Sequence, residues 1–431
     1  MATLKGAHLK YIRYDSKTKY RIDKYIERES WSVIDWDGWI AKKLADKLFS
    51  AKKYVPYYQN YWRKNKLPFE KLENWPIITK EEINSYPKGH FIDERYSFRH
   101  LYCDHTSGTT GTPLNIYLDY DTIKEQYALF ESRVKIKYEI NYGDSWAIIG
   151  SQRVTPFNRK KPPYWVYNFS SRQLYLSSLH IANWTIQDYF VALKKYQPRY
   201  IIGYTNLIYE LAKGMKENNL YFKMKAVITN AEPVYQYQKA IISDVFMCPV
   251  VDTYGQAELV SFASRFPDGK MYESPEMGIK EVIDIKKYEE EEYGKLIATS
   301  ILNQSMPLIR YSTNDLISNY GSRQDGALPI YGNVLGRKDD VIKLEDGRRI
   351  VQIDGVFAQE SNILQGQILQ KSYTEFVINI VPSKRWNEQD ASRLKKKLFM
   401  RLGDVKIDIN ICDKMELTWA GKFRVIQSEV S

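Results

Sequence analysis

Cysteine is scarce in this chain, with three residues, Cys103, Cys248 and Cys412, among 431. They lie far apart, without a CxxC pair or a histidine at metal-ligand spacing, so neither a disulfide scaffold nor a zinc site is expected. Long apolar runs are missing as well. No segment reaches the roughly 18 apolar residues of a membrane span, and the opening MATLKGAHLKYIRYDSKTKYRIDKY is punctuated by charge, without the apolar stretch of a signal peptide. A cytoplasmic protein with no transmembrane segment is the expectation. Internal repeats and low-complexity tracts are absent. So is a Walker phosphate loop: that pattern ends in Gly-Lys followed by Ser or Thr, whereas SGTTGTP ends in Thr112 and Pro113. Blocks of one charge sign are lacking too. The formal net charge is +11, yet basic and acidic residues are interspersed, as in DKYIERES and KKYEEEEYGK, and the compact basic run Lys395 to Lys397 falls on an amphipathic helical pattern. Nucleic acid is therefore not expected as a partner, whereas a positive balance suits a phosphate-bearing ligand.

What is present is a packed globular chain, 44% apolar and too long for one small core. Residues 1–100 read as mainly helical, with Ile40, Leu44 and Leu48 at helical spacing and Thr79 as a helix cap. Strands and helices then alternate. PLNIYLD, SWAIIGS, RYIIGY, KAVITN and PVVDTYG read as strands; DTIKEQYALFESRVKIKY, NLIYELAKGMKEN and VYQYQKAIISDVF read as helices, the last with Pro233 at its start. That rhythm predicts an α/β fold with doubly wound, mostly parallel sheet. In such sheets ligands lie at the carboxyl ends of the strands, where TNAEP and TYGQAE fall. Past Gly332 the pattern becomes a hairpin, VIKLEDGRRIV, then an apparent helix, the strand TEFVINIV, the helix QDASRLKKKLFMRL, the strand VKIDINI and a polar tail. The expected organisation is a large domain over 1–335 and a small α+β domain over 336–431, with the boundary in VLGRKDD, Val334 to Asp340.

Five segments carry candidate chemistry. CDHTSGTTGTPLNIYLD, 103–119, sets Gly108 and Gly111 among hydroxyls, which describes either a mobile turn or a cradle for phosphate. TYGQAE, 253–258, brings an aromatic ring, a glycine and a carboxylate to a strand end, suiting a purine and a metal ion. MPLIRYSTNDL leads to Asp315, able to accept from two ribose hydroxyls. GRKDD joins an arginine to carboxylates, and WAGKFR puts Lys422 on a glycine-containing loop. Taken singly, each has an ordinary reading as turn, core or surface.

In this order the segments resemble the adenylate-forming superfamily of acyl-CoA synthetases, and within it the phenylacetate-CoA ligase-like branch with the CapK-type proteins of capsular polysaccharide clusters. LYLSSLHIANW and PRYIIGYTNLIYELA look particularly CapK-like. The resemblance implies a carboxylate attacking the α-phosphorus of ATP to give an acyl-adenylate and pyrophosphate. It further implies that Thr106, Ser107, Gly108, Thr109, Thr110 and Gly111 wrap the phosphates, and that Ala231, Glu232 and Pro233 flank the adenine with Tyr254 and Gly255. Glu258 holds Mg2+, Asp315 fixes the ribose with Arg337 nearby, and Lys422 bridges carboxylate and phosphate. The small domain acts as a mobile lid hinged at Asp339. Arg153, Gly203 and Tyr204 are candidates to line the acid pocket, and His180 or His105 to assist an amine acceptor.

The expected cofactors are ATP and Mg2+, with CoA as one acceptor. The expected partners are a small carboxylic acid, such as a sugar acid or aryl acid, and an amine, hydroxyl or thiol. An aryl- or acyl-CoA ligase and a non-catalytic nucleotide-binding relative are the alternatives. The departures from the family pattern are Leu114 after the proline, Asn314 before the aspartate, Ser312 for a frequent arginine, and no Pro-Arg ahead of the lysine loop.

Overall fold

Between residues 146 and 255 the alternation of strand and helix closes into the core of an eight-stranded sheet. The computed structural model describes residues 2–106, 114–150, 152, 154–156, 158–288, 291–318, 328–337, 342–345, 349–350, 355–358, 360, 362–416 and 424–430. Five strands run parallel, in the spatial order Val250–Gly255, Ala226–Asn230, Tyr200–Tyr204, Trp146–Ile149, Gln173–Leu176. Antiparallel Trp165–Asn168 closes one edge; Phe262–Arg265 and Met271–Glu273 extend the other. Read in chain order, the parallel strands lie 5-4-3-1-2, so successive connections depart in opposite directions from Trp146–Ile149. That places the topological switch point between Trp146–Ile149 and Tyr200–Tyr204.

The crossover helices are those that the apolar spacing predicts. Thr205–Glu217 buries Leu207, Ile208, Leu211 and Met215 along one face, and Ile186–Tyr196 buries Ile186, Tyr189, Ala192 and Leu193. Each such aliphatic side chain contributes about 1.5–3 kcal/mol through removal from water. The two helices approach closely at Gly214, where a Cβ would meet the Ile186 side chain at 2.6 Å. Gln236–Phe246 completes the set, beginning three residues after Pro233, which therefore lies outside the helix it was expected to open.

The mainly helical lead-in is present. Val33–Tyr54 starts at a capping box in which Ser32 accepts from the Asp35 amide and Asp35 from the Ser32 amide, and Thr79 caps Lys80–Ser85 through the Glu82 amide at 3.2 Å. Tyr58, Trp62, Trp75 and Ile78 pack in one core with Leu114, Ile116 and Leu118 of the hairpin formed by Tyr102–His105 and Asn115–Leu118. One predicted helix changes character. After Tyr120–Phe130 the chain forms a π-helical turn over Glu131–Lys135 and a 3-10 turn over Ile136–Tyr138. Glu131, Arg133 and Lys135 are all buried in it. Arg133 is held by Glu29 at 2.6 Å and Glu276 at 2.9 Å, and Lys135 by Glu131 at 2.6 Å, so the widened turn aims charges inward toward partners.

The chain divides into two compact units, one comprising Met1–Glu281, Ile297–Thr313 and Tyr320–Tyr331, the other Val282–Leu296, Asn314–Asn319 and Gly332–Ser431. The second unit has a four-stranded sheet in the order Lys406–Ile411, Glu375–Pro382, Ile363–Gln370, Ile426–Ser428. Helix Glu388–Leu402 buries Leu394, Leu398 and Leu402 beside it. Two of these strands differ from the sequence reading, which has a helix and a polar tail there. ILQGQILQ is a strand because its glutamines are satisfied inside the sheet region. Gln367 donates to the Arg424 carbonyl at 2.9 Å, and Gln370 accepts from the Lys343 amide at 3.0 Å and from Ser428 Oγ at 2.8 Å. Ile426–Ser428 pairs parallel to it as a short edge.

Lys47, on Val33–Tyr54, is buried with its Nζ donating to the Asn303 carbonyl at 2.5 Å. Burial pushes its pKa down to about 7 against the opposing pull of Asp119 and Asp93. The unfolded chain keeps this proton up to about pH 10.5 while the native state releases it near 7. Stability therefore rises with pH between those values, by up to about 1.4 kcal/mol per unit, and the penalty is fully present below pH 7. Urea unfolding of wild type and Lys47→Met should show wild type gaining on the variant from pH 7 to pH 9. A pH-independent difference would remove the buried charge from the account.

Candidate active site

The switch point is lined by backbone before it is lined by side chains. A Cβ on Gly203 would lie 2.1 Å from the Ile149 carbonyl oxygen, so the facing ends of these paired strands accept only glycine there. The adjacent Tyr204 caps Thr205–Glu217, and its ring edge is what a Cβ on Gly150 would meet, at 3.9 Å. Arg153, from the loop that follows Trp146–Ile149, lies outside the described residues. His180 ends the 3-10 turn Ser178–His180, directly after Gln173–Leu176. Its ring is buried and stacked on Tyr164, with centroids 5.0 Å apart, and Nδ1 faces Ser177 Oγ at 2.8 Å.

At the next two strand ends the adenine-side candidates are held firmly. Ala231 takes a left-handed φ of 65° and turns the chain after Ala226–Asn230. The Glu232 carboxylate accepts from the Asn206 amide at 2.9 Å, and its carbonyl accepts from Thr205 Oγ1 at 3.1 Å. Its negative charge thus sits on the first turn of Thr205–Glu217, where free amides and the helix dipole favour it. Glu232 accordingly orders the turn through its side chain, and Ala231 and Pro233 on either side of it are exposed.

Tyr254 ends Val250–Gly255, its hydroxyl accepting from the Gln256 amide group, its ring 5.3 Å from that of buried Tyr331. Exposed Gly255 follows. Glu258 is buried, and its Oε1 accepts from the Tyr311 hydroxyl at 2.8 Å.

The glycine-rich stretch spans a hairpin rather than a strand-to-helix turn. Thr106 and Leu114 close its base, the Thr106 amide donating to the Leu114 carbonyl and the Leu114 amide to Thr106 Oγ1, both at 3.0 Å. Ser107, Gly108, Thr109, Thr110 and Gly111 between them lie outside the described residues. Leu114 is 2% exposed within the core, so the position after the proline holds a packing residue here.

Asp315 lies inside Tyr311–Ser318 rather than after it, following Asn314 with φ 62°, and pairs in register with Arg337 of Val334–Arg337. The left-handed backbone at Asn314 is one that asparagine tolerates better than most residues. Asp339 and Lys422 are outside the described residues. Sequence reasoning missed Tyr311 and Tyr331; the signal for the first is the RY of MPLIRYSTND, four residues ahead of the aspartate.

Residues 344–429 match the CapK C-terminal domain family. The structure is similar to that of 2-hydroxyisobutyryl-CoA ligase in the postadenylation state with R3-HIB-AMP, with a TM-score of 0.72 at 17% identity, over 93% of this chain and 91% of that one. The chain has the fold of the adenylate-forming ligases. Protein CapK of Staphylococcus aureus is 23% identical over 365 residues, 80% of this chain and 78% of that protein. ATP-bound MatB from Rhodopseudomonas palustris also shares the fold, with a TM-score of 0.50 at 13% identity over 75% of this chain and 66% of that one. The glutamine-bearing strand Ile363–Gln370 and the short edge Ile426–Ser428 both lie within the segment that matches the CapK C-terminal domain model. No helix among the described residues is long and apolar enough to cross a membrane.

Gly203→Ala is expected to cost about 2 kcal/mol or more, because the added methyl meets a backbone oxygen that cannot rotate away. A lowered urea midpoint tests this, and an unchanged one would mean that the strands separate freely at the crevice.

Proposed function

We propose that the chain is an ATP-dependent, AMP-forming ligase that activates a carboxylic acid as its acyl-adenylate, releasing pyrophosphate. The acyl group then passes to an amine or hydroxyl acceptor in surface polysaccharide biosynthesis of the capsule or O-antigen kind. The observation that carries the adenylation reading is Glu258, a buried carboxylate oriented by Tyr311 at the carboxyl end of the sheet of an adenylate-forming fold. The likeness to CapK supports the polysaccharide role.

The residues fit the reaction by charge. Mg2+ takes oxygen ligands, commonly one or two carboxylates plus substrate phosphates. Glu258 with phosphate oxygens would make a donor set of that kind. When bound, the ion offsets phosphate charge. Tyr254, backed by Tyr331, lies against the adenine with Ala231, the Glu232 turn, Pro233 and Gly255 along its edge. Thr106, Ser107, Gly108, Thr109, Thr110 and Gly111 supply amides and hydroxyls to the phosphates, and Asp315 holds the ribose with Arg337. Arg153, Gly203 and Tyr204 line the acid pocket at the switch point.

The nucleophile is a carboxylate already ionised at neutral pH, so this step needs no general base. What it needs is positioning of two anions, and Lys422 supplies the cation between them. Rotation of the small domain about Asp339 then withdraws Lys422 for the transfer step.

A second reading, an aryl- or acyl-CoA ligase, is favoured by the solved structures of similar fold, several of which are CoA ligases. Acid-dependent exchange of pyrophosphate into ATP tests adenylation, and adding CoA or an amine afterwards separates the acceptors. A thioester product overturns the polysaccharide reading. Exchange that no acid stimulates leaves the non-catalytic relative.

Lys422→Ala should lower adenylation by about 10²-fold or more, roughly 3 kcal/mol, while ATP still binds in equilibrium dialysis. Undiminished exchange would refute the role. Asp339→Pro should spare exchange and depress overall turnover, because proline restricts the hinge dihedral. Equal rates in both half-reactions would move the hinge elsewhere.

A further inference from the structure

His180 carries a feature that the adenylation chemistry leaves unused. Its ring is 7% exposed, and Nε2 is buried without a hydrogen-bond partner among the described residues. The other nitrogen is well held, with Ser177 Oγ at 2.8 Å and Thr155 Oγ1 at 3.4 Å. Ser177 is fully buried and its hydroxyl has His180 Nδ1 as its partner, so we assign the hydroxyl proton to this contact and the imidazole proton to Nε2, the tautomer that lets the serine donate. The ring has no freedom to seek another partner. It stacks on Tyr164 at 21°, Tyr164 stacks on Tyr189, and the Tyr189 hydroxyl donates to the Ser177 carbonyl at 2.5 Å. A buried N–H left unpaired is costly, and packing alone would be served as well by an apolar ring.

The position of this donor is informative. Ser177 and His180 follow Gln173–Leu176, and Thr155 follows Trp146–Ile149, the neighbouring parallel strand at the switch point. The adenine-side turn after Ala226–Asn230 lies three strands away in the sheet, about 14 Å at ordinary strand spacing. The turn that carries His180 therefore lies on the side of the switch point away from the proposed adenine-side turn, the side to which the acyl portion of an adenylate would extend.

Resting on the adenylation reading, we infer that His180 is a specificity-determining residue whose Nε2–H binds an oxygen on the acyl portion of the substrate, so that the site selects hydroxylated carboxylic acids over unsubstituted ones. A site built to pair a polar group rejects an analogue lacking it, because its own donor is then left buried and unpaired.

Three acid pairs test this by pyrophosphate exchange: glucuronate against tetrahydropyran-2-carboxylate, 2-hydroxyisobutyrate against isobutyrate, and 4-hydroxybenzoate against benzoate. Wild type should favour the hydroxylated member of at least one pair by roughly 10-fold or more in kcat/KM. His180→Asn keeps a polar group beside Ser177 but has no donor at Nε2, and should collapse that preference through KM. His180→Gln, which restores a donor near Nε2, should recover part of it. A preference that survives in His180→Asn, or favours the unsubstituted acid in every pair, overturns the inference while leaving adenylation intact. Thermal shift by the same acids supplies a readout free of turnover. Stabilisation of wild type but not His180→Asn by a hydroxylated acid, without exchange, supports His180 and sinks adenylation. Absence of both effects overturns both.

Discussion

Everything at the candidate site depends on the pairing of Trp146–Ile149 with Tyr200–Tyr204, two parallel strands brought together so closely that Gly203 has no room for a methyl. From this pair the sheet grows in opposite directions. Gln173–Leu176 lies on one flank, and Ala226–Asn230 and Val250–Gly255 follow on the other. The divergence of the crossovers opens a crevice at the carboxyl ends, and the turns that meet there carry His180, Glu232, Tyr254 and Glu258. A fold that paired these strands in chain order would distribute the same residues along one edge with no crevice among them.

The site is held by hydrogen bonds that engage side chains before any ligand arrives. Glu232 is fastened to the helix start at Asn206, Glu258 to Tyr311, and His180 to Ser177. Each link joins segments distant in sequence or clamps a turn. This is how a site becomes preorganised: the cost of ordering its groups is met by folding rather than at binding.

Behind the sheet the chain buries charge at a cost that other architectures avoid. Arg133 is anchored to Glu29 and Glu276, and Lys135 to Glu131, which also accepts from Tyr14 at 2.8 Å. Such pairs roughly offset their own desolvation, so their contribution lies more in geometry than in stability. They fasten Tyr14, the end of helix Thr18–Glu27 at Tyr25, and Glu29 to the π-helical turn in one arrangement, since any other would leave a charge buried and unpaired.

The periodicities of 2 and 3.6 residues were legible in the chain, and with them the crossover helices, the parallel strands and the small α+β unit, because local spacing of apolar residues dictates which face is buried. ILQGQILQ and the π-helical turn escaped that reading, since their polar residues find partners only after distant segments assemble. The same division holds at the site. The segments around Thr106, Glu258 and Asp315 stand out as motifs in sequence alone, as chemistry confined to a few adjacent residues can. Strand order, the helix-capping use of Glu232, the hold of Tyr311 on Glu258 and the buried Nε2 of His180 belong to the tertiary structure, because each depends on contact between residues that the chain itself keeps far apart or on burial that no local pattern encodes.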